Sequence, residues 1–383
     1  MERILFITND FPPQRGGIQT FIEGLIRQLP KDSVVVHASS QKPREHQELF
    51  DQQISDDLGV IVVRDRQKIL LPTRALRKRV SGTVHAHSIK TVVFGASVPL
   101  GLLAPSLRRL GVTKIVAITH GHEVWWAKMP IFSQLLRRVG ASVDHVTYLG
   151  AFTRNAISNA FSSDDYGKLT HLPPGVNTTE FHPGEKPRYL IERFNLEDKK
   201  VILCVGRLVQ RKGQDALISS MAMIREKFPE AHLLIVGSGN YEPRLRKLVS
   251  KFALNESVTF AGRTSEGELP DYFRVADIFA SPSRDRFGGL EVEGLGIVYL
   301  EASASGIPVI AGQSGGSPDA IQEGETGICV DGRDPHSVAA ALMLLLGNQE
   351  LANQMGKAGR AWMERQWSWE IIGARFRSIL ELN

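Results

Sequence analysis

Residues 276–312 read ADIFASPSRDRFGGLEVEGLGIVYLEASASGIPVIAG. "DIFASPS" and "IPVIAG" are short apolar runs bounded by Ser, Pro and Gly, the pattern of buried strands. Between them a glycine-rich loop leads into a helix that starts near Gly296 and carries "IVYLEASAS". Two apolar strands joined through a helix predict a parallel pair with the helix packed on its face. Open parallel sheets bind ligands at the carboxyl ends of their strands, where loops enter helices. At that position this stretch places two carboxylates: Glu293 in the loop, and Glu301 one to two turns inside the helix.

The same alternation runs outward in both directions. "RILFIT", "SVVVHA", "GVIVVR", "KIVAIT" and "HVTYLG" are strand patterns before residue 151, and "KKVILCVGRL", "AHLLIVGSG", "SVTFAGR" and "TGICV" complete the second half. The segment 169–187, LTHLPPGVNTTEFHPGEKP, holds four prolines and two glycines and interrupts the series. The fold class is therefore α/β: two doubly wound Rossmann-like domains expected to face each other across a cleft. The expected division is an N-terminal domain over 1–172, a linker over 173–187 and a C-terminal domain over 188–365. A terminal helix over 366–383 follows. The closing stretch AGRAWMERQWSWEIIGARFRSILELN reads as one long helical pattern, and Trp362, Trp367 and Trp369 read as packing residues.

Composition bounds the class. The 383 residues are 42% hydrophobic and 23% charged, ordinary for a soluble globular protein. Cys204 and Cys329 lie in apolar runs and read as buried thiols of a reducing compartment. Met1 leads straight into a strand pattern, so no signal peptide is expected. "TVVFGASVPLGLLAPSL" is broken by two prolines and makes a poor membrane span. These features predict a soluble, cytoplasmic protein. The net charge of +5 is uneven: residues 1–186 hold 23 Lys/Arg against 16 Asp/Glu, and residues 64–138 hold 14 against 2. A single basic run is usually a solvated face; a whole segment at this charge suggests an anionic partner, nucleic acid or a membrane surface. Nucleic acid is disfavoured, because no RNP, helix-turn-helix or zinc pattern accompanies the charge.

Three further constellations sit at strand ends. Gly16 and Gly17 precede the first helix, where bare amides can face an anion; the bland alternative is an ordinary turn. The spacing is not G-x-G-x-x-G, which disfavours a nicotinamide cofactor. "VGRLVQRKG" places Arg207 and Lys212 at a strand-to-helix junction, a fork and a point charge suited to a diphosphate, with two solvated cations as the alternative. Neither is expected in the core. Gly237 ends a strand with room for a flat ring, and Arg263 and Thr264 end the next. The Asp56–Asp57 and Asp164–Asp165 pairs read as surface residues, so no metal site is expected.

The set G-G before the first helix, H-G-H-E, G-R-L…R-K-G and E-G-L-G-I-V-Y-L-E followed by A-S-G-I-P-V-I resembles the GT-B retaining glycosyltransferases of family four. Glu293 and Glu301 match that family's E-x7-E signature. "TNDFPPQRGGIQTF", "FGASVPLGLLA" and "THGHEVWWAKMP" are similar to GDP-mannose-dependent members that mannosylate phosphatidylinositol mannosides, adding the second, α-1,6-linked mannose. The resemblance implies that Gly16 and Gly17 offer amides to the donor phosphate and that Arg207 and Lys212 neutralise the leaving diphosphate. It further implies that Glu293 faces the donor sugar, with Gly294, Leu295, Gly296, Ile297 and Val298 shaping its seat. Glu301 would accept from the ribose, and Gly237, Arg263 and Thr264 would lie near the base. His120 matches the family's active-site histidine, and His122 and Glu123 follow it. The acceptor or membrane side would take Gln19, Arg77, Lys78 and Arg79. The implied donor is GDP-mannose, with no tightly bound cofactor and no required divalent metal. The implied acceptor is an anionic phosphoinositide-type lipid at the inner face of the cell membrane, where the protein is peripheral. The alternatives are another nucleotide sugar, a soluble acceptor, or a non-catalytic sugar-nucleotide sensor of the same fold.

Overall fold

A computed structural model describes residues 2–14, 16–265 and 267–382. The chain divides into two compact units, Met1–Gly175 with Trp369–Asn383, and Val176–Ser368. The first is built on seven parallel strands: β1 (Ile4–Thr8), β2 (Val34–Ala38), β3 (Ile61–Arg64), β4 (Thr91–Phe94), β5 (Lys114–Ala117), β6 (His145–Tyr148) and β7 (Leu169–His171). Their order is β3-β2-β1-β4-β5-β6-β7. β1, β2 and β4 are buried at every position, because helices cover both faces and leave no polar side to alternate with. β4 was not expected as a strand. "TVVF" runs without a polar break into "GASVPLGLLAPSL", so its end is invisible in the hydrophobic pattern.

The helix Gly17–Arg27 buries Phe21, Ile22, Leu25 and Ile26, a single stripe at helical spacing. Across it lies the terminal helix Trp369–Ile379. Phe376 meets Phe6 of β1 edge-on at 6.2 Å, Arg377 donates to the Gln28 carbonyl at 2.7 Å, and Lys114 pairs with Glu381 at 2.5 Å. A Cβ on Gly24 would stand 2.1 Å from the Trp369 ring, so any larger residue there would displace this helix. The long helical pattern seen in the sequence is not one helix. The helix Gln349–Trp362 passes into a π-turn, and Ser368 at φ −64°, ψ 152° breaks the run.

The second unit has six parallel strands, β8 (Lys200–Val205), β9 (Ala231–Val236), β10 (Val258–Gly262), β11 (Ile278–Ser281), β12 (Val309–Gly312) and β13 (Gly327–Val330), in the order β10-β9-β8-β11-β12-β13. The residues expected as linker from Val176 onward pack into this unit. Phe181 meets Phe273 at 5.5 Å, and Arg360 Nη1 donates to the carbonyls of Thr178, Phe181 and Ala304 at 2.9, 2.7 and 2.8 Å. One guanidinium thus takes up two loop carbonyls and the last carbonyl of the helix ending at Ala304. In each sheet the strand order reverses once, between β1 and β4 and between β8 and β11. These are the switch points where loops diverge and ligands fit.

Candidate functional site

At the switch point of the second unit, β8 is followed by Gly206 and Arg207, and a 3₁₀ turn, Gln210–Lys212, brings Arg211 and Lys212 inward. β11 ends in the loop that delivers Glu293. Arg211 Nη1 donates to Glu293 Oε2 at 2.5 Å, Lys212 Nζ lies 2.7 Å from the same oxygen, and Ser283 Oγ donates to it at 3.5 Å. All three charged residues are buried, each 8% exposed. Burial opposes ionisation of Glu293, but the charges of Lys212 and Arg211 outweigh it and hold the carboxyl at about 2. Glu293 is therefore a permanent acceptor, able to take hydrogen bonds from hydroxyl groups and unable to donate one. Lys212, expected outside the core, is buried in this cluster. Arg207 is exposed, and its carbonyl accepts from Gln214 Nε2 at 3.1 Å.

The loop after Glu293 is clamped by a second backbone. The Glu293 amide donates to Ser314 Oγ at 3.1 Å and its carbonyl accepts from the Gly316 amide at 2.9 Å. A Cβ on Gly315 would stand 2.1 Å from the Glu293 carbonyl oxygen, and one on Gly316 would stand 2.1 Å from that of Gly294. Only glycine lets the two backbones approach this closely. Gly294, Leu295 and Gly296 then turn into the helix Ile297–Ala304, whose first amides, Ile297 and Val298, head the helix dipole. Glu301 sits in the second turn of that helix. Its Oε2 is buried without a hydrogen bond among the described residues. Burial, reinforced by the charge of Glu180, pushes its carboxyl up to about 8. A buried carboxyl oxygen with no partner is a polar group whose hydrogen-bonding capacity the fold itself leaves unused. Gly237 donates its amide to the Gly262 carbonyl at 2.7 Å, and Arg263 Nε donates to Ser238 Oγ at 2.7 Å, so these residues adjoin at the ends of β9 and β10. Thr264 Oγ1 donates to Glu268 Oε2 at 3.3 Å.

In the first unit, the Gly16–Gly17 step starts its helix beside β1. Gln19 is buried there, its Nε2 donating to Asp10 Oδ1 at 2.9 Å. His120 follows β5. Its Nε2 donates to the Gly95 carbonyl at 2.5 Å, which leaves the Nδ1 lone pair as the ring's open position. Burial lowers its pKa, and Glu123 only partly opposes this. Glu123, fully buried, holds the turn: it accepts from the His120 and Gly121 amides at 2.9 and 3.1 Å and from Ser97 Oγ at 3.1 Å. Of the three basic residues assigned to the acceptor or membrane side, Arg77 and Lys78 are exposed. Arg79 instead turns inward. Its Nε lies 2.7 Å from buried Asp65, which also takes His37 Nε2 at 3.1 Å. Asp165, expected at the surface, is buried and accepts from Ser162 and Lys168 at 2.6 and 2.8 Å. Among the described residues no three His, Cys, Asp or Glu side chains form a group able to hold a metal. No described helix is long and apolar enough to cross a membrane.

Arg211 and Glu123 were not assigned these roles from the sequence. Arg211 is one of two adjacent cations, and spacing alone does not say which faces the sheet. Glu123 lies three residues after His120, the distance at which a carboxylate can cap its own turn.

Two doubly wound parallel units in tandem, each with its switch point, define the GT-B architecture. Residues 15–180 match the family model for glycosyltransferase family 4, and residues 189–362 match that for glycosyl transferases group 1. This chain belongs to the family-four glycosyltransferases. It is 42% identical over 379 residues to a GDP-mannose-dependent α-(1-6)-phosphatidylinositol monomannoside mannosyltransferase of Mycolicibacterium smegmatis, covering 98% of each chain. It is 41% identical over 382 residues to a Corynebacterium glutamicum relative named for the monoacylated monomannoside, covering 99% of this chain and 98% of that one. Its fold matches that of Anabaena Alr3699/HepE, solved in complex with UDP, with a TM-score of 0.83 at 16% identity over 99% of both chains.

Proposed function

We propose that this chain is a retaining α-mannosyltransferase that moves mannose from GDP-mannose to a phosphatidylinositol mannoside at a membrane surface, adding the second mannose in α-1,6 linkage. The donor and acceptor follow the full-length relatives. The observation that carries the chemistry is the buried Lys212–Glu293–Arg211 cluster, with the open Glu301 oxygen further along the same loop and helix. In this reaction the bond from the anomeric carbon to the diphosphate breaks and a bond to the acceptor oxygen forms. The acceptor's proton passes to the departing phosphate oxygen on the same face, so configuration is retained. Charge builds on the leaving group, and fixed cations stabilise it without reorganising. Lys212 and Arg207 take that role. Glu293 accepts from the mannose hydroxyls, Glu301 from the ribose, and Arg263 with Thr264 flanks the base. In the first unit the amide-rich start at Gly16–Gly17 suits a phosphate, and neutral His120 carries an Nδ1 lone pair able to accept from a sugar hydroxyl.

The test is a donor panel. GDP-mannose is expected to release GDP, and faster with phosphatidylinositol monomannoside in vesicles, while UDP-glucose releases none. Release from UDP-glucose instead would give the site another donor. Because Lys212 and Arg207 supply the leaving-group charge, turnover is expected to survive EDTA within about threefold. Complete loss restored by manganese or magnesium would overturn the metal-free step.

The acceptor reading draws on the first unit. A cavity of about 360 Å³ at the ends of β1 and β2 is lined by Asn9, Ser39, Ser40, Lys42, His46 and Lys68, a set suited to a polyhydroxylated, anionic headgroup. Exposed Arg77 and Lys78 follow in the chain shortly after the exposed apolar residues Ile69 and Leu71, 63% and 49% accessible. Basic residues beside apolar ones favour docking on anionic lipid without crossing it. The wild type is expected to cosediment with phosphatidylinositol vesicles at 0.1 M salt and to detach towards 1 M, as the Debye length falls from ~10 Å to ~3 Å. Arg77→Glu with Lys78→Glu should weaken that binding and leave GDP-mannose affinity unchanged. Arg79 is left out of the pair, because glutamate there would face buried Asp65 and unfold the helix. Full vesicle binding by the double variant would make these residues an ordinary solvated face.

A further inference from the structure

The loop joining β11 to the helix Ile297–Ala304 carries a small hairpin that the chemistry above does not use. Arg286 N donates to Glu291 O at 3.0 Å, Glu291 N donates to Arg286 O at 3.2 Å, and their side chains pair at 3.0 Å. The base of the loop is rigid. Arg284 donates to both oxygens of Asp215 at 2.8 and 2.7 Å, and Ser314 Oγ donates to Asp285 at 2.8 Å. The tip is different. Phe287, Gly288 and Gly289 are consecutive left-handed residues with φ of 51°, 64° and 81°. That backbone is ordinary for glycine and strained for phenylalanine, and strain of this kind persists where structure or ligand compensates it. Packing does not cover this ring, because Phe287 is 67% exposed. The Arg286 guanidinium lies over the ring, 4.5 Å from its centroid. The hairpin also reaches the buried cluster: Glu291 Oε1 is 3.8 Å from Arg211 Nε, and Arg211 holds Glu293.

We propose that this hairpin is a platform for the acceptor's pyranose ring, with the sugar's C–H face on Phe287 and Glu291 coupling the hairpin to Arg211 and Glu293. The inference rests on the sugar-transfer reading and adds the seat of the acceptor sugar to it. A pyranose has one face dominated by C–H groups, which carry partial positive charge, and the phenyl face is negative. With Arg286 over one face of the ring, the sugar takes the other. Glu291 is a positioning residue. Shared between Arg286 and Arg211, it keeps the second of these directed at Glu293 while the first steadies the platform.

Phe287→Gly removes the ring at a position whose backbone suits glycine, so its melting temperature is expected to match or exceed that of the wild type. Its KM for phosphatidylinositol monomannoside should rise about threefold to tenfold, the range of one aromatic contact, while its KM for GDP-mannose moves less than twofold. Phe287→Trp should restore acceptor KM. Glu291→Gln should lower kcat by a similar factor, with Glu291→Asp recovering part of it; a change in melting temperature without a change in kcat would remove Glu291 from the coupling. Saturation-transfer NMR with methyl α-D-mannopyranoside, on protein loaded with GDP, separates this inference from the acceptor assignment. A pyranoside signal in the wild type that Phe287→Gly abolishes supports the platform even if the lipid acceptor proves wrong. An unchanged acceptor KM, or a signal unaffected by the substitution, overturns it. So does a loss of vesicle binding in Phe287→Gly with normal transfer to a water-soluble mannoside, which would make the ring a lipid contact.

Discussion

Lys212→Ala is expected to lower turnover at saturating GDP-mannose by about a hundredfold, and Arg207→Ala by at least about tenfold. Removing one preorganised donor from a developing anion typically costs two to three orders of magnitude. Lys212 should lie at the upper end of the pair, because it is buried and its charge is poorly screened, whereas Arg207 is exposed. Lys212 Nζ lies 2.7 Å from Glu293. A bound diphosphate must share that ammonium, and the sharing is possible because Arg211 remains 2.5 Å from the same carboxylate. The second contact also protects the fold of the variant. Losing Lys212 leaves Glu293 buried but still paired, which avoids the cost of an isolated buried charge. Circular dichroism should therefore show a folded Lys212→Ala protein. Single-turnover rates would separate transfer from donor affinity, and a rate within threefold of wild type would remove Lys212 from leaving-group stabilisation.

How far the sequence carried depended on whether a feature was contiguous. All six strands of the second unit were legible, four of them because a strand buried on both faces is an unbroken apolar run: "VILCV" and "AHLLIV" read as such in one dimension. β4 has the same burial and was lost, since its run continues into the following apolar turn. The E-x7-E pair was legible as two acceptors at a strand end. Their opposite electrostatics were not, because they depend on which neighbours the fold supplies. Glu293 receives Arg211 and Lys212 from a turn some eighty residues away, whereas Glu301 receives no partner for Oε2. The pairing of Arg79 with Asp65 was missed although a signal existed. Arg79 lies three residues after Leu76 and four before Thr83, both buried, so it stands on the flank of the helix's inward stripe where Asp65 can reach it. A count of helical phase along "RALRKRVSGTV" separates it from exposed Arg77 and Lys78.

GDP-mannose affinity is expected to rise with pH between about 7 and 9, and Glu301→Gln is expected to abolish that slope and weaken binding about tenfold to a hundredfold. Burial raises the Glu301 carboxyl to about 8, with the Glu180 charge adding to the shift, from an ordinary value of 4.5. The native state therefore retains a proton between these values that the unfolded chain has released. Stability consequently falls as pH rises through that window, by at most about 1.4 kcal/mol per unit, and the whole penalty is present above the folded value. A ribose diol reverses the balance. Two hydroxyl donors stabilise the ionised form, so binding below the folded value must expel the proton, and affinity drops by up to about tenfold for each unit of acidification. The diphosphate of GDP-mannose is esterified at both ends and keeps its charge throughout this range, so the slope belongs to the protein. His120 does not contribute to it, since burial holds its pKa below 6.5. Glutamine keeps the shape and one acceptor but never carries the charge. The variant should therefore bind with an affinity independent of pH, and melt at a higher temperature than wild type above about pH 8, where only the wild type buries an unpaired carboxylate. Calorimetric titration of GDP-mannose in buffers of different ionisation heat measures the released proton directly. A wild-type affinity flat across the window, with no proton released, would mean that Glu301 does not meet the ribose.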